Sequence, residues 1–176
     1  MTRRLDFLCI IQARLTSTRF PNKVMATVQG KTLLKRVWDA AKASIVDKVI
    51  VAWPERYPDL DQNNVLERFR RISNEFPSKY IVRLTADCPL LTKDIINEAI
   101  RTFVLRKEQY PGTHYYCNRD RRPDGYDVQI MSHHMLHASY ATHKEHVITP
   151  DMYQTPNKYH SVDTIEDLAR VRAYVG

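Results

Sequence analysis

LDFLCIIQARLTSTRFPNK, residues 5–23, joins a near-continuous apolar run to a stretch too rich in Arg, Thr, Ser and Pro for a helix or a strand. An apolar run without alternation is the mark of a strand buried on both faces of a parallel sheet. Working outward, Lys31–Ser44 places Leu34, Val37, Trp38 and Ala41 at helical spacing, with Thr32 available as a cap. KVIVAW (Lys48–Trp53) reads as a second buried strand ended by Pro54 and Pro58. Asn64–Phe76 reads as a helix with Val65, Leu66, Phe69 and Ile72 on one face. YIVRL (Tyr80–Leu84) is a third strand, followed by the turn Thr85-Ala86-Asp87-Cys88-Pro89 and a helix capped by Thr92 that reaches about Arg106. Strand and helix alternate, so the pattern predicts a parallel α/β sheet with right-handed crossovers. Ligands of such sheets bind beyond the carboxyl ends of the strands.

The second half is less regular. Tyr115–Asn118 and Tyr126–Met131 are expected as short strands joined by a basic turn containing Pro123-Asp124-Gly125. Ser132–Tyr140 is expected to be helical, Tyr159–Val162 a last strand, and Ile165–Val175 a final helix begun by Asp163 or Thr164.

The 176 residues suit a single domain (1–176) with one core. Lys and Arg exceed Asp and Glu by 27 to 20, which favours anionic partners, although the basic residues are scattered. Cys9, Cys88 and Cys117 form no C-x-x-C pair, which argues against a disulfide framework or a zinc ribbon. No run approaches the length of a membrane span, and the apolar stretch behind Arg3-Arg4 is too short for a signal core. A cytoplasmic protein with no membrane partner is expected.

The chemistry-bearing residues fall where the fold predicts. Arg14, Arg19 and Lys23 place three cations within ten residues after the first strand, beside the hydroxyls of Thr16, Ser17 and Thr18. Guanidinium forks and small donors are what a polyphosphate needs. The stretch is neither a Walker A loop nor G-x-G-x-x-G, which disfavours P-loop enzymes and dinucleotide dehydrogenases.

IIQARLTSTRFPNKVMATVQGKTLL (Ile10–Leu34) resembles the opening signature of the cytidylyltransferase superfamily, which includes the synthetases that activate acidic sugars such as Kdo and sialic acid with CMP. NVLERF (Asn64–Phe69), VRLTADCPLL (Val82–Leu91), PDGYDVQI (Pro123–Ile130), KEHVITPDMY (Lys144–Tyr153) and SVDTIEDLARVRAY (Ser161–Tyr174) follow the same order as in its spore-coat polysaccharide biosynthesis protein SpsF-like branch. The resemblance implies a glycosyltransferase-A-like, nucleotide-diphospho-sugar transferase-like α/β/α sandwich with a mainly parallel sheet. It implies that Arg14, Ser17, Arg19, Lys23 and Thr85 bind the nucleotide, with Arg14 and Lys23 also stabilising the leaving pyrophosphate. Asp87 and Asp163 match the family's metal-binding aspartates and would hold Mg²⁺, with Asp87 catalytic as well; Asp124, Asp127 and His146 would face the sugar. The implied reaction is Mg²⁺-dependent transfer of CMP from CTP to an acidic or phosphorylated sugar in polysaccharide or glycoconjugate biosynthesis, by a homodimer meeting through the Tyr115–Met131 hairpin.

Each role has a plainer competitor. Asp163 could simply cap the last helix, and Asp124 could simply form the turn before Gly125. His133, His134 and His137, with His143 and His146, offer helical spacings but no H-E-x-x-H and no cysteine partner, so surface histidines are favoured over zinc. YYCNRDRR (115–122) is the only mixture of aromatics and cations suggestive of nucleic acid, and it is short. The chain also departs from the SpsF-like branch, whose members usually carry an additional helix and strand before the VLERF helix; here only PERYPDLDQN (Pro54–Asn63) fills that place. The shortened segment should narrow the sheet beside the base pocket. It raises the alternative of a catalytically reduced relative that binds nucleotide or sugar without turnover.

Overall fold

A computed structural model describes residues 5–61, 63–119, 121–138 and 161–176. The first strand, β1 (Leu5–Gln12), is the middle of a parallel trio. It pairs with β4 (Lys48–Ala52) on one side and β5 (Ser78–Thr85) on the other. Beyond β5 the sheet turns antiparallel, through β7 (Gln129–Ser132) and then β6 (Tyr115–Cys117), for an order β4-β1-β5-β7-β6. The sheet is therefore mixed and mostly parallel among its long strands, as expected.

Helices cover both faces. Cys9 and Ile11 of β1, with Val82 and Leu84 of β5, pack under α1 (Leu33–Lys42) and α3 (Lys93–Gln109). Leu8, Ile10 and Ile81 face the other way, under Phe69 and Ile72 of α2 (Val65–Glu75) and Leu136 of α4 (His133–Ala138). Both faces of the central strands are thus buried, the physical reason their sequence does not alternate. Thr32, Asn64 and Thr92 each accept a hydrogen bond from the third backbone N–H of the helix that follows, fixing where α1, α2 and α3 begin. The last helix, α5 (Ile165–Val175), packs Leu168 and Val171 against Val28 and Leu33.

Three details differ from the sequence expectation. A small hairpin, β2 (Thr27–Val28) with β3 (Lys31–Thr32), precedes α1. Its two turn residues, Gln29 (φ 50°) and Gly30 (φ 73°), are both left-handed, the geometry of a tight hairpin turn, and Gln is not a residue that signals one. The strand expected over Tyr126–Met131 begins only at Gln129, because the Asn118 side chain takes the backbone in place of a neighbouring strand. Its Nδ2 donates to the Tyr126 carbonyl at 2.8 Å, and its Oδ1 accepts from Val128 N at 2.8 Å. Of the last expected strand, Tyr159 and His160 lie outside the described residues, while Ser161 and Val162 belong to no strand.

This topology positions the site. From β1 the chain runs through α1 on one face to β4, then through α2 on the opposite face to β5 on β1's other side. The segments leaving β1 and β5 therefore emerge side by side at adjacent carboxyl ends, the end of the strands beyond which open α/β sheets bind ligands. Among the described residues between β4 and α2 there is a single turn of 3-10 helix, Pro54–Arg56, and irregular backbone, and β4 is the sheet edge.

Phe103 of α3 is fully buried, with its ring edge-on to Tyr80 at 5.0 Å. Phe103→Ala should destabilise the protein by about 3–5 kcal/mol, read as a lower urea midpoint.

Candidate active site

The segment after β1 is shaped by its own backbone. Asn22 N donates to the Leu15 carbonyl at 2.9 Å, and Ser17 Oγ accepts from Phe20 N at 3.4 Å, so Ser17 is engaged in holding the loop. Asn22 sits at φ 56°, a left-handed conformation that Asn tolerates better than most side chains. That turn delivers Lys23 into a single turn of 3-10 helix (Lys23–Met25), with the lysine only 7% exposed.

Lys23 Nζ lies 2.7 Å from Asp87 Oδ2 and 2.9 Å from Asp163 Oδ1. Arg19 Nη2 adds a third cation-to-carboxylate contact, 3.2 Å from the same Asp163 oxygen. Asp87 comes from the turn after β5, which is stitched to β1 by Ala86 N donating to the Gln12 carbonyl at 3.0 Å. Asp163 reaches it because Val162 N donates to the Asp87 carbonyl at 2.8 Å. The plainer reading of Asp163 as a cap is corrected here: Thr164 caps α5 in a capping box with Asp167, and Asp167 also accepts from Asp163 N at 3.0 Å. The Asp163 carboxylate is thereby left for Lys23 and Arg19.

The electrostatics follow from these contacts. Burial works to raise Asp87, but the Lys23 charge and the hydrogen bonds from Lys23 and Thr85 outweigh it and hold the carboxyl below its ordinary range. For Lys23 burial works downward, and the charges and bonds of Asp87 and Asp163 hold the ammonium above its ordinary range. Thr85 Oγ1 also meets Cys88 Sγ at 3.0 Å. The buried Cys88 thiol is pushed well up, chiefly by burial and the Asp87 charge, which makes it a poor nucleophile.

A second acidic pair lies beside it. Asp127, 8% exposed, receives Arg119 Nε at 3.2 Å and Nη2 at 3.4 Å, one on each oxygen. Burial pushes Asp127 up, Arg119 offsets part of this, and a hydrogen bond and like charge from Asp124 add to it, giving about 6. Asp124 Oδ2 also accepts from Ser161 Oγ at 3.3 Å, so it does more than form the turn at Gly125, where φ is 96°.

The sequence-derived set therefore divides. Arg19, Lys23, Asp87 and Asp163 converge, with Thr85 behind Asp87. Asp124 and Asp127 form the neighbouring pair. Arg14 instead turns toward the start of α2, donating from Nη1 to Asn63 Oδ1 at 3.1 Å. His146 lies outside the described residues, as does His143. Sequence reasoning missed Arg83, Gln12 and Gln129, a polar row across the sheet; the available signal was an arginine inside an otherwise apolar strand.

Two carboxylates that close on one ammonium are spaced to close on one hard cation, and oxygen donors are what Mg²⁺ takes. Among the described residues no group of three or more His, Cys, Asp or Glu could hold a metal. His133 and His137 stack at 4.3 Å, beside a cavity of about 630 Å³ that Lys79, His114 and His134 also line, away from the aspartates. Tyr116 is 3% exposed, so the YYCNRDRR stretch does not offer it for stacking on bases. No helix among the described residues is long and apolar enough to cross a membrane.

Two measurements probe this electrostatic picture. Lys23→Met removes the shared counter-charge, so carbon-detected titration should show the Asp87 carboxyl moving from below its ordinary value to above it. For Asp127, a folded pKa near 6 against about 3.9 unfolded means that the folded state binds the proton more tightly. Its stabilising contribution is complete below about pH 4 and is lost as pH rises toward 6. Urea titrations of wild type and Asp127→Asn should diverge across that window and run parallel above it.

Residues 8–54 match the family model described as cytidylyltransferase. The 3-deoxy-manno-octulosonate cytidylyltransferase of Pelobacter propionicus is 29% identical over 112 residues, covering 55% of this chain and 44% of that one. Its counterpart from Polynucleobacter asymbioticus is 32% identical over 114 residues, covering 55% and 45%. The chain spans about half the length of the curated relatives it matches. Among solved structures, a cytidylyltransferase from Leptospira borgpetersenii superposes with a TM-score of 0.78 at 20% identity, covering 97% of this chain and 86% of that one. CMP:2-keto-3-deoxy-manno-octonic acid synthetase complexed with CTP superposes at 0.68 with 14% identity, covering 97% and 98%. By sequence over residues 8–54 and by fold over nearly its whole length, this chain is similar to the cytidylyltransferases.

Proposed function

We propose that this protein is a Mg²⁺-dependent cytidylyltransferase that transfers CMP from CTP to an acidic or phosphorylated sugar, with release of pyrophosphate. The observation that carries the reading is the meeting of Arg19, Lys23, Asp87 and Asp163 at the carboxyl ends of β1 and β5. A single-purpose structural ion pair has no need of two cations and two carboxylates beyond the carboxyl ends of two adjacent strands. The similarity to 3-deoxy-manno-octulosonate cytidylyltransferases supports cytidine as the base and a sugar acid as acceptor.

In this mechanism a sugar oxygen attacks the α-phosphorus and the bond to the β-phosphate oxygen breaks, so pyrophosphate departs with the electron pair. Such transfer needs positioning and charge neutralisation more than a covalent residue. Asp87 and Asp163 would hold Mg²⁺, which would supply part of that neutralisation. Arg14, Arg19 and Lys23 hold the phosphates, Lys23 and Arg14 offset charge on the leaving group, and Ser17 and Thr85 complete the nucleotide side. Asp124 and Asp127 face the sugar hydroxyls, and the resemblance assigns His146, outside the described residues, to the same role. The reading extends to a cytoplasmic homodimer of the SpsF-like branch serving polysaccharide biosynthesis.

One observation favours a second reading. The short connection from Pro54 to Asn63 leaves β4 at the sheet edge beside the expected base pocket. A protein with that pocket opened would bind nucleotide or sugar without turnover.

Calorimetric titration with CTP, UTP, ATP and GTP, each with and without Mg²⁺, separates the two. Selective, Mg²⁺-dependent CTP binding is expected, weakened at least tenfold in Arg14→Ala and in Asp87→Ala. Pyrophosphate release with a sugar acid would then establish turnover. Binding of CTP with no release from any sugar acid would favour the reduced relative, and binding of no nucleotide would sink the proposal.

A further inference from the structure

Arg83 is a buried cation whose partners, among the described residues, are neutral. It lies in β5, 8% exposed, in register with Gln129 of β7 and beside Gln12 at the end of β1. Nε and Nη2 donate to Gln12 Oε1 at 3.1 and 2.6 Å, and Nη1 donates to Gln129 Oε1 at 2.8 Å. Among the described residues no carboxylate comes within ion-pair distance of it. Burial pulls the guanidinium down from its ordinary value, opposed by the more distant charges of Tyr115, Asp127 and Asp87. Arginine stays protonated regardless. A buried charge matched only by amide dipoles is costly, and most buried arginines are paired.

The row is unbalanced in a second way. A guanidinium can only donate, so Gln129 must turn its oxygen toward Arg83. That leaves Gln129 Nε2, fully buried, without an acceptor. Each terminal nitrogen of Arg83 carries two N–H groups, and each uses one. Among the described residues one N–H on Nη1 and one on Nη2 are left for a further acceptor, and two N–H groups on neighbouring guanidinium nitrogens can meet the two oxygens of one carboxylate.

The row also sits within the candidate site. Gln12 carries the carbonyl that anchors the Asp87 turn, and Gln129 is two residues from Asp127. The charges of both aspartates reach Arg83.

Resting on the cytidylyltransferase reading, we propose that Arg83 reads the acceptor's negative charge, its two remaining terminal N–H groups receiving a sugar carboxylate while Gln12 and Gln129 hold the guanidinium in place. A single planar cation suits a carboxylate. A sugar phosphate carries nearly twice the charge, and Arg119, the other arginine of the row's surroundings, is committed to Asp127. The acceptor is thereby a sugar acid, and neutral and phosphorylated sugars are discriminated against. The rival account is a strand pin: Arg83 ties β1 to β7 and touches no ligand.

Gln129→Glu distinguishes them, because it supplies the missing counter-charge without removing the pin. The probes are 3-deoxy-manno-octulosonate, N-acetylneuraminate and glucuronate, with mannose and mannose 6-phosphate as controls, titrated calorimetrically into the full chain. CTP is titrated in parallel. Wild type should bind at least one sugar acid in preference to both controls. Gln129→Glu should fold, bind that acid at least tenfold more weakly, and bind CTP as wild type does. Arg83→Gln should lose the acid likewise, and Arg83→Lys should recover only part of it. Unchanged acid affinity in Gln129→Glu overturns the proposal, as does wild-type preference for either control or failure of wild type to bind any acid while CTP still binds. Loss of CTP binding by wild type speaks against the nucleotidyltransferase reading instead, and leaves the acid arm to judge Arg83 separately.

Discussion

The Lys23 ammonium, shared between Asp87 and Asp163, is the interaction on which the rest of the site depends. It ties together three segments: the loop after β1, the turn after β5 and the entrance to α5. Two carboxylates at one point repel, and a buried ammonium alone is costly, so none of the three charges is tolerable without the others. Geometry outside the trio serves it. Asn22 adopts a left-handed turn to deliver the lysine, Val162 pairs with the Asp87 carbonyl, and Thr164 with Asp167 takes over the capping of α5. Asn22 takes a positive φ of 56°, which asparagine tolerates better than most side chains.

How much of this was legible depended on whether burial or partnership set the residue's role. Strands buried on both faces announce themselves as unbroken apolar runs, and β1, β4 and β5 lie where LDFLCIIQ, KVIVAW and YIVRL predict. The helices α1 to α3 and α5 follow from apolar spacing and their caps. Arg19, Lys23 and Asp87, which the structure brings together with Asp163, flank carboxyl ends of strands in the sequence, while Arg14, which shares that position, turns instead to Asn63. The hairpin β2–β3 was not legible, because Gln29 takes a conformation its residue type does not advertise. Nor was the late start of β7, where the Asn118 side chain imitates a strand partner across a loop. Neither residue carries a signal within its own neighbourhood. Arg83 did carry one, a charge within an apolar strand, but its meaning required the two glutamines that only the sheet register brings beside it.

The two acidic pairs show how environment separates identical side chains. Asp87, half-buried, and Asp127, buried, are both carboxylates facing a cation. Asp87 shares an ammonium that also receives Asp163, and the strong local positive charge keeps it ionised. Asp127 meets Arg119 at longer range and has Asp124 as a like-charged neighbour, so its proton is held until about pH 6. The first arrangement suits a permanent anion that holds a cation. The second suits a group that exchanges protons and hydrogen bonds with hydroxyls near neutrality.

Charge balance then links the two halves of the proposed reaction. Lys23 and Arg19 are neutralised within the protein by Asp87 and Asp163. A nucleotide triphosphate that draws on these cations leaves the two carboxylates short of positive charge. On the proposed reading, a divalent cation taken up by those carboxylates would free the ammonium for phosphate. Each event removes the internal partner that opposes the other, so nucleotide and metal would favour one another by an equal factor in both directions. On this reading the lysine is neither a passive structural tie nor a dedicated phosphate ligand. It is an internal counter-ion that keeps the carboxylates together until the substrate brings its own charge, and its near-complete burial keeps water from screening that exchange.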